Sequence, residues 1–285
     1  MSSRPTLRTL LVLGRVSNLP SVWTNCLCGW LLGGAGSELT LLLLGLGASL
    51  VYVGGMYLND AFDAAFDRQY RRERPIPAEA ISVALVWEIG GALLAGGGLI
   101  LAFLGWTTAA FSFLLVLTVL LYDAVHKAVA LSPVIMASCR FFLLLAAAST
   151  GDDGVTGLAL WSALALAGWI VGLSYVARRE SAAGPMKWPP LLALSLPIIL
   201  AVLVNDGDYR LRAFLAAGAL VTWALWCLWH TFRSAHPNLG RTVSGLLAGI
   251  CLVDLLAVPH ESAAVFFCLA AFGIARLAQR FIPAT

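Results

Sequence analysis

The chain has 285 residues, 60% of them hydrophobic and only 12% charged, with a formal net charge of +3. An average soluble domain carries roughly 25% charge, and few segments here have the polar face that a soluble amphipathic helix needs; a soluble globular protein is excluded. Alternating ten-residue strands do not occur, which argues against an outer-membrane barrel.

One apolar run after another approaches the roughly 20 residues needed to cross a bilayer. Ten candidate spans fall at 17–36, 39–58, 81–104, 106–123, 132–150, 157–176, 188–204, 210–230, 242–258 and 262–279. The expectation is an all-α, polytopic membrane bundle of nine to ten transmembrane helices, one domain over 1–285. The start, Met1-Ser2-Ser3-Arg4-Pro5, shows no separate signal peptide, so the first helix is expected to act as an uncleaved signal. With the N-terminus cytoplasmic, all Lys and Arg except Arg140, Arg210 and Arg212 fall on the cytoplasmic side. That bias fixes the expected orientation.

The second span ends in Asn59-Asp60-Ala61-Phe62-Asp63-Ala64-Ala65-Phe66-Asp67. On a continuing helix, Asp60, Asp63 and Asp67 fall at about 0°, 300° and 340°, one narrow face. Three carboxylates on one face repel each other, so that face is expected to hold a multivalent cation. A basic loop follows at once: Arg68, Arg71, Arg72 and Arg74-Pro75-Ile76-Pro77. An acidic face beside a basic loop suits a metal-bound polyphosphate at a membrane surface.

Further along the chain, Tyr122 and Asp123 close the fourth span, with Lys127 just after it. Arg140 lies within the fifth span, where a charge is costly unless it faces a cavity. The longest polar stretches, 63–79 and 178–187, follow the second and sixth spans. Asp254, deep in the ninth span, is expected to hydrogen-bond a neighbouring helix. Cys26, Cys28, Cys139, Cys227, Cys251 and Cys268 read as packing residues. His126, His230, His236 and His260 show no metal-ligand spacing and receive no role. No Gly-x-Ser-x-Gly elbow or Walker loop occurs. The acidic cluster lies at a helix end rather than at the midplane between broken helices, which disfavours an ion-coupled transporter.

Asn59-Asp60-x-x-Asp63-x-x-x-Asp67, followed by Arg68 and Arg74-Pro75-Ile76-Pro77, resembles the first aspartate-rich signature of the UbiA superfamily of membrane prenyltransferases. Gly14-Arg15-Val16-Ser17-Asn18-Leu19-Pro20 is similar to the N-terminal region of that superfamily. The resemblance implies a helical bundle around a lipid-open cavity, in which Mg²⁺ bridges aspartates to the diphosphate of an isoprenyl donor. It assigns Asp60, Asp63 and Asp67 to the metal and to catalysis, and Asn59, Arg68, Arg74, Lys127 and Arg15 to the diphosphate. Arg140 is a further candidate for diphosphate or acceptor, and Tyr122, Asp123 and Tyr175 are acceptor-side candidates.

The second signature departs from the family pattern. Ser174-Tyr175-Val176-Ala177-Arg178-Arg179-Glu180-Ser181 carries one carboxylate where the family has two. Arg178 and Arg179 are expected to neutralise the diphosphate directly, and Glu180 to contact metal or water or to act as a base. This loop resembles the EboC-like branch, which is associated with a polyol (cyclitol) acceptor. The implied function is transfer of a geranylgeranyl-like group from a polyprenyl diphosphate to a small acceptor in a bacterial inner membrane, with no nucleic-acid partner. The alternatives are a membrane terpene cyclase on the same scaffold, or a catalytically silent lipid-binding or carrier protein.

Overall fold

Every regular element is helical among the described residues of the computed structural model, which are 5–178, 189–205, 207, 209–232, 238–258 and 260–284. In chain order they are α1 (Leu7–Leu13), a 3₁₀ turn (Val16–Asn18), α2 (Leu19–Leu32), α3 (Glu38–Phe62), α4 (Ala64–Tyr70), α5 (Val83–Ala102), α6 (Trp106–Val125) and α7 (Ser132–Ala148). Then follow α8 (Gly157–Arg178), a 3₁₀ segment (Pro189–Ser195), α9 (Leu196–Val204), α10 (Tyr209–Phe232), α11 (Leu239–Ala248), α12 (Ile250–Ala257) and α13 (Ser262–Ala278). The helices begin where the sequence supplies starts. Pro20, Pro133 and Pro197 occupy first turns, where the missing N–H costs nothing. Ser82 caps α5 by accepting from the Leu85 N–H.

All ten apolar segments carry helix. Six are long and apolar enough to cross a membrane: α3, α5, α6, α8, Arg210–Trp229 of α10, and α11 with α12 taken together as Leu239–Ala257. The segments Ser132–Ala148, Leu191–Val204 and Ser262–Ala278 are apolar but shorter, and α2 has 14 residues. Six of the nine to ten expected spans therefore meet the length and hydropathy needed.

α3 and α5 pack backbone to backbone. A Cβ on Gly54 would lie 2.6 Å from the Leu94 nitrogen, and one on Gly97 would lie 2.6 Å from the Gly47 oxygen. Small residues at such crossings let helices approach where lipid offers no hydrophobic drive to association. Trp169 is fully buried, and its indole N–H donates to the Leu246 carbonyl at 3.1 Å, fastening α8 to α11. Leu42, Leu46, Phe103, Trp106, Phe113 and Phe266 point outward as an exposed apolar belt.

Two features position the acidic end of α3. Beneath the loop after α4, Ile76 and Ile81 are buried with Leu13, Tyr57 and Val86. This apolar knot folds the loop back over the helix end. The last described residues also return to the bundle, where Asn18 Nδ2 donates to the Ala284 carbonyl at 2.9 Å.

Candidate active site

The helical ladder runs through the acidic motif. The Asp63 N–H donates to the Asn59 carbonyl at 3.0 Å and the Asp67 N–H to the Asp63 carbonyl at 2.9 Å, across the α3–α4 junction. Asp60, Asp63 and Asp67 are all buried. Their partners differ. Arg74 Nη1 donates to Asp60 Oδ1 at 3.2 Å and to Asp67 Oδ2 at 3.0 Å, joining those two. Asp63 instead pairs with Lys127 Nζ at 2.5 Å and faces His126 Nε2 at 3.5 Å. Lys127 also sits 3.9 Å above the Phe66 ring centre, a cation–π contact that fixes the ammonium.

Arg15 reaches the same cluster from the N-terminal segment. Its Nη2 donates to Asp60 Oδ1 at 3.0 Å and to Asn59 Oδ1 at 3.5 Å. Arg15 adopts a left-handed backbone conformation with φ 42°, a state that costs a non-glycine residue about 1–2 kcal/mol. The ion pair to Asp60 offsets that strain, and the turn directs the guanidinium inward.

The electrostatics separate two of the carboxylates. Burial disfavours the charged Asp63, but hydrogen bonds and charge from His126 and Lys127 outweigh it and hold the carboxyl below its ordinary range. At Asp67, burial dominates; Arg74 offsets only part of it, and Asp63 and Asp60 add repulsion, so this carboxyl is pushed up.

Mg²⁺ takes oxygen ligands and is held by one or two carboxylates plus phosphate oxygens, not by an all-protein cage. The donor set here fits that preference. Asp67 Oδ1 is buried with no hydrogen-bond partner, a hard oxygen left unsatisfied beside Asp60. Among the described residues, no group of three or more His, Cys, Asp or Glu forms a cage of its own.

Through Asp63 the cluster meets a cavity of about 840 Å³, while Asp60 and Asp67 lie outside its lining; the volume is within the size range of small-molecule sites. Its polar end is lined by Arg15, Asn59, Asp63, Arg71, Arg74, Tyr122, Asp123, His126, Lys127, Tyr175 and Arg178, and its apolar reach by Val22, Ala48, Val51, Leu115 and Leu143. Asn59 Nδ2 donates to Asp123 Oδ1 at 3.0 Å. Arg178 donates to the Val129 and Ala130 carbonyls, the latter at 2.7 Å. Arg140 lines the cavity wall but spends its donors on the Ser21 carbonyl, Ser21 Oγ and Asn25 Oδ1. Arg68 is exposed on α4 and lies apart from the cavity lining. Arg179 and Glu180 fall outside the described residues.

Several lining residues carry no role in the sequence reading. His126 is one: its Nδ1 faces the Tyr122 and Asp123 carbonyls at 3.2 and 3.3 Å, and its Nε2 turns to Asp63 at 3.5 Å. Its ring stacks on Tyr122 with centres 4.9 Å apart. The i, i+4 spacing from Tyr122, directly before Lys127, is the signal that pointed there. Met56 and Tyr52, one and two turns before Asp60, share the same face of α3 and also line the cavity.

An acidic, cation-closed helix end beside an apolar hollow, within a bundle of apolar helices, defines a helical membrane protein with a charged site at one end of its cavity. Residues 21–253 match the model of the UbiA prenyltransferase family; the chain belongs to that family, and prenyl transfer is the chemistry its membership supports. With six helices long and apolar enough to cross a membrane among the described residues, it is an integral membrane protein. No curated protein matches the chain. Among solved structures, a UbiA homologue from Archaeoglobus fulgidus bound to GPP and Mg²⁺ aligns with TM-score 0.65 at 14% identity, covering 94% of this chain and 99% of that one. A digeranylgeranylglyceryl phosphate synthase aligns with TM-score 0.62 at 17% identity, covering 94% and 99%. An apo UbiA homologue from Aeropyrum pernix K1 aligns with TM-score 0.61 at 18% identity, covering 90% and 98%. At these identities the likeness is one of fold.

Proposed function

We propose that this protein, as one domain over residues 1–285, transfers an isoprenyl group from a geranylgeranyl-like polyprenyl diphosphate to a small acceptor. The observation that carries the reading is the meeting of Asp63 with Arg15, Arg74 and Lys127 at the polar end of an apolar-walled cavity of about 840 Å³, with Asp60 and Asp67 paired to the same arginines just outside its lining. The GPP and Mg²⁺ bound by the Archaeoglobus fulgidus homologue support the same ligand chemistry. Asp60, Asp63 and Asp67 would hold Mg²⁺, which supplies charge stabilisation for the departing diphosphate.

The residues of the chain do the rest. Arg15, Arg74 and Lys127 turn from their carboxylates to the diphosphate oxygens, and Arg178 and Arg71 stand at the same end. Such donors are worth most where water is scarce. The apolar wall of Val22, Ala48, Val51, Leu115 and Leu143 takes the isoprenyl chain and keeps water from the allylic cation. Tyr52 and Tyr122 line the same cavity, and aromatic rings near a forming cation stabilise it. The acceptor forms its bond to the terminal carbon as the C–O bond to diphosphate breaks. On this reading the motif loops face the cytoplasm of a bacterial inner membrane.

The test is Mg²⁺-dependent release of diphosphate from geranylgeranyl diphosphate by the protein in nanodiscs. Asp60→Ala and Asp63→Ala are expected to abolish it while the bundle stays folded. Full turnover in both variants would refute the assignment.

A further inference from the structure

Among the described residues, Asp123 is the one carboxylate lining the cavity that forms no ion pair. It sits in the last turn of α6, is 4% exposed, and lines the cavity. Asn59 holds its Oδ1 at 3.0 Å. Its Oδ2 is buried with no hydrogen-bond partner. Asn59 is in turn held by Arg15 at 3.5 Å, so the carboxylate is oriented from α3 and its second oxygen is left for a ligand. A buried oxygen of this kind lacks one hydrogen bond that something must supply.

The surroundings say what supplies it. Arg15 and Arg74 are bound to Asp60, Lys127 to Asp63, Arg178 to main-chain carbonyls, and Arg140 to Ser21 and Asn25. The diphosphate will claim the free valences of these cations. An anionic acceptor at this oxygen would set its charge directly against Asp123, which is held by the neutral Asn59 amide and not by a cation. A neutral hydroxyl group supplies the missing hydrogen bond and adds no charge. The position also suits chemistry: His126, one turn on, faces Asp63 at 3.5 Å, so a ligand at Asp123 lies beside the diphosphate-binding groups.

We propose that Asp123 is a catalytic residue, the general base that receives the acceptor, and that the acceptor is a neutral alcohol. The proposal rests on the prenyl-transfer reading above. The allylic C–O bond to diphosphate breaks and its electron pair leaves with the diphosphate. The acceptor oxygen forms a new C–O bond to the terminal carbon, and its proton passes to Asp123 Oδ2, then to water as the products depart. The products are a prenyl ether, diphosphate and one proton.

The experiment uses the full protein in nanodiscs with Mg²⁺ and geranylgeranyl diphosphate, offered glycerol, myo-inositol or 4-hydroxybenzoate. Products are read by mass and diphosphate by release. Binding of geranylgeranyl thiolodiphosphate is measured in parallel. The wild type is expected to form the ether of a neutral polyol. Asp123→Asn, which keeps the side-chain shape, is expected to lose ether formation by about 100-fold or more while binding the donor analogue as the wild type does. Ether formation near wild-type levels in Asp123→Asn overturns the proposal. So does loss of analogue binding in that variant, which would place Asp123 in the diphosphate site. Prenylation of 4-hydroxybenzoate alone, or diphosphate release with no polyol ether, overturns the acceptor class. No diphosphate release from the wild type under any condition would sink the prenyl-transfer reading itself, a result distinct from the others.

Discussion

Arg74 Nη1 lies 3.0 Å from Asp67 Oδ2, and the same nitrogen reaches Asp60 Oδ1 at 3.2 Å. One guanidinium thus holds together two carboxylates that would otherwise repel across the start of α4. Replacing Arg74 by Ala leaves two buried charges short of a partner and removes a donor for the diphosphate. The expected result is an increase in the KM for geranylgeranyl diphosphate of at least about tenfold, in line with the 2–5 kcal/mol typical of losing one partner of a buried charge pair. Arg74→Lys is expected to recover only part of it, since the shorter, rotating ammonium does not hold one nitrogen fixed between both carboxylates as the planar guanidinium does. An unchanged KM in Arg74→Ala would count against the assignment.

Asp63 and Asp67 are expected to respond oppositely to neutralisation. Asp63 is held below its ordinary range, so its charged form stabilises the fold above the unfolded pKa, and that stability is lost as pH falls through the folded pKa. Asp67 is pushed up, so its charged form weighs against the fold at neutral pH, and the penalty is relieved as pH falls through its raised pKa. Asp63→Asn is therefore expected to lower the thermal midpoint in metal-free buffer at pH 7, and Asp67→Asn to raise it or leave it unchanged. Both are expected to lose diphosphate release. Thermal unfolding in detergent reads the contrast, and a stabilised Asp63→Asn would contradict it.

Much of this was legible in the chain because lipid imposes strict rules. Segments that satisfy every main-chain group internally must be helical, so all ten apolar runs appear as helices. The alignment of Asp60 and Asp67 follows from helical arithmetic alone. The hydrogen bond expected at Asp254 is present, supplied by Thr24 and Asn25 of α2. What escaped the sequence depends on chain reversals. The division of the carboxylates between Arg74 and Lys127 is set by a loop that folds back on buried Ile76 and Ile81, and no local pattern encodes that. Arg68 sits closer in sequence to the motif than Arg74 does, yet α4 turns it outward. His126 reads as a loop histidine until α6 places it opposite Asp63. Helix length was overestimated because apolar composition continues past points where the helix ends, as at Gly33 after α2.

The α3–α5 crossing offers a test of packing independent of catalysis. A side chain at Gly97 would meet the Gly47 oxygen at 2.6 Å and the Val51 nitrogen at 2.7 Å, both main-chain atoms that cannot move without the helix. Gly97→Val is expected to cost about 1–3 kcal/mol, the usual range for overpacking. Gly96 has nothing within 4 Å of its Cβ position, so Gly96→Val serves as the control and is expected to leave the thermal midpoint near wild type. Equal midpoints for the two variants would mean that the crossing is looser than described.

Asp254 tests whether the polar network behind the cavity is structural. Its carboxylate accepts from Thr24 Oγ1 at 2.5 Å and from Asn25 Nδ2 at 2.7 and 2.8 Å, and Asn25 Oδ1 accepts from Arg140 at 2.6 Å. The amide thus stands between a buried anion and a buried cation, with one face turned to each. Removing the anion in Asp254→Ala leaves the Asn25 amide protons unpaired and Arg140 without its nearest counter-charge beyond the amide. The expected cost is about 2–4 kcal/mol, visible as a lower thermal midpoint with or without donor. Asp254→Asn keeps the shape and loses the charge, so it should fall between. Loss of turnover in Asp254→Ala with an unaltered midpoint would instead mean that the carboxylate acts on the reaction through Arg140 rather than on the bundle.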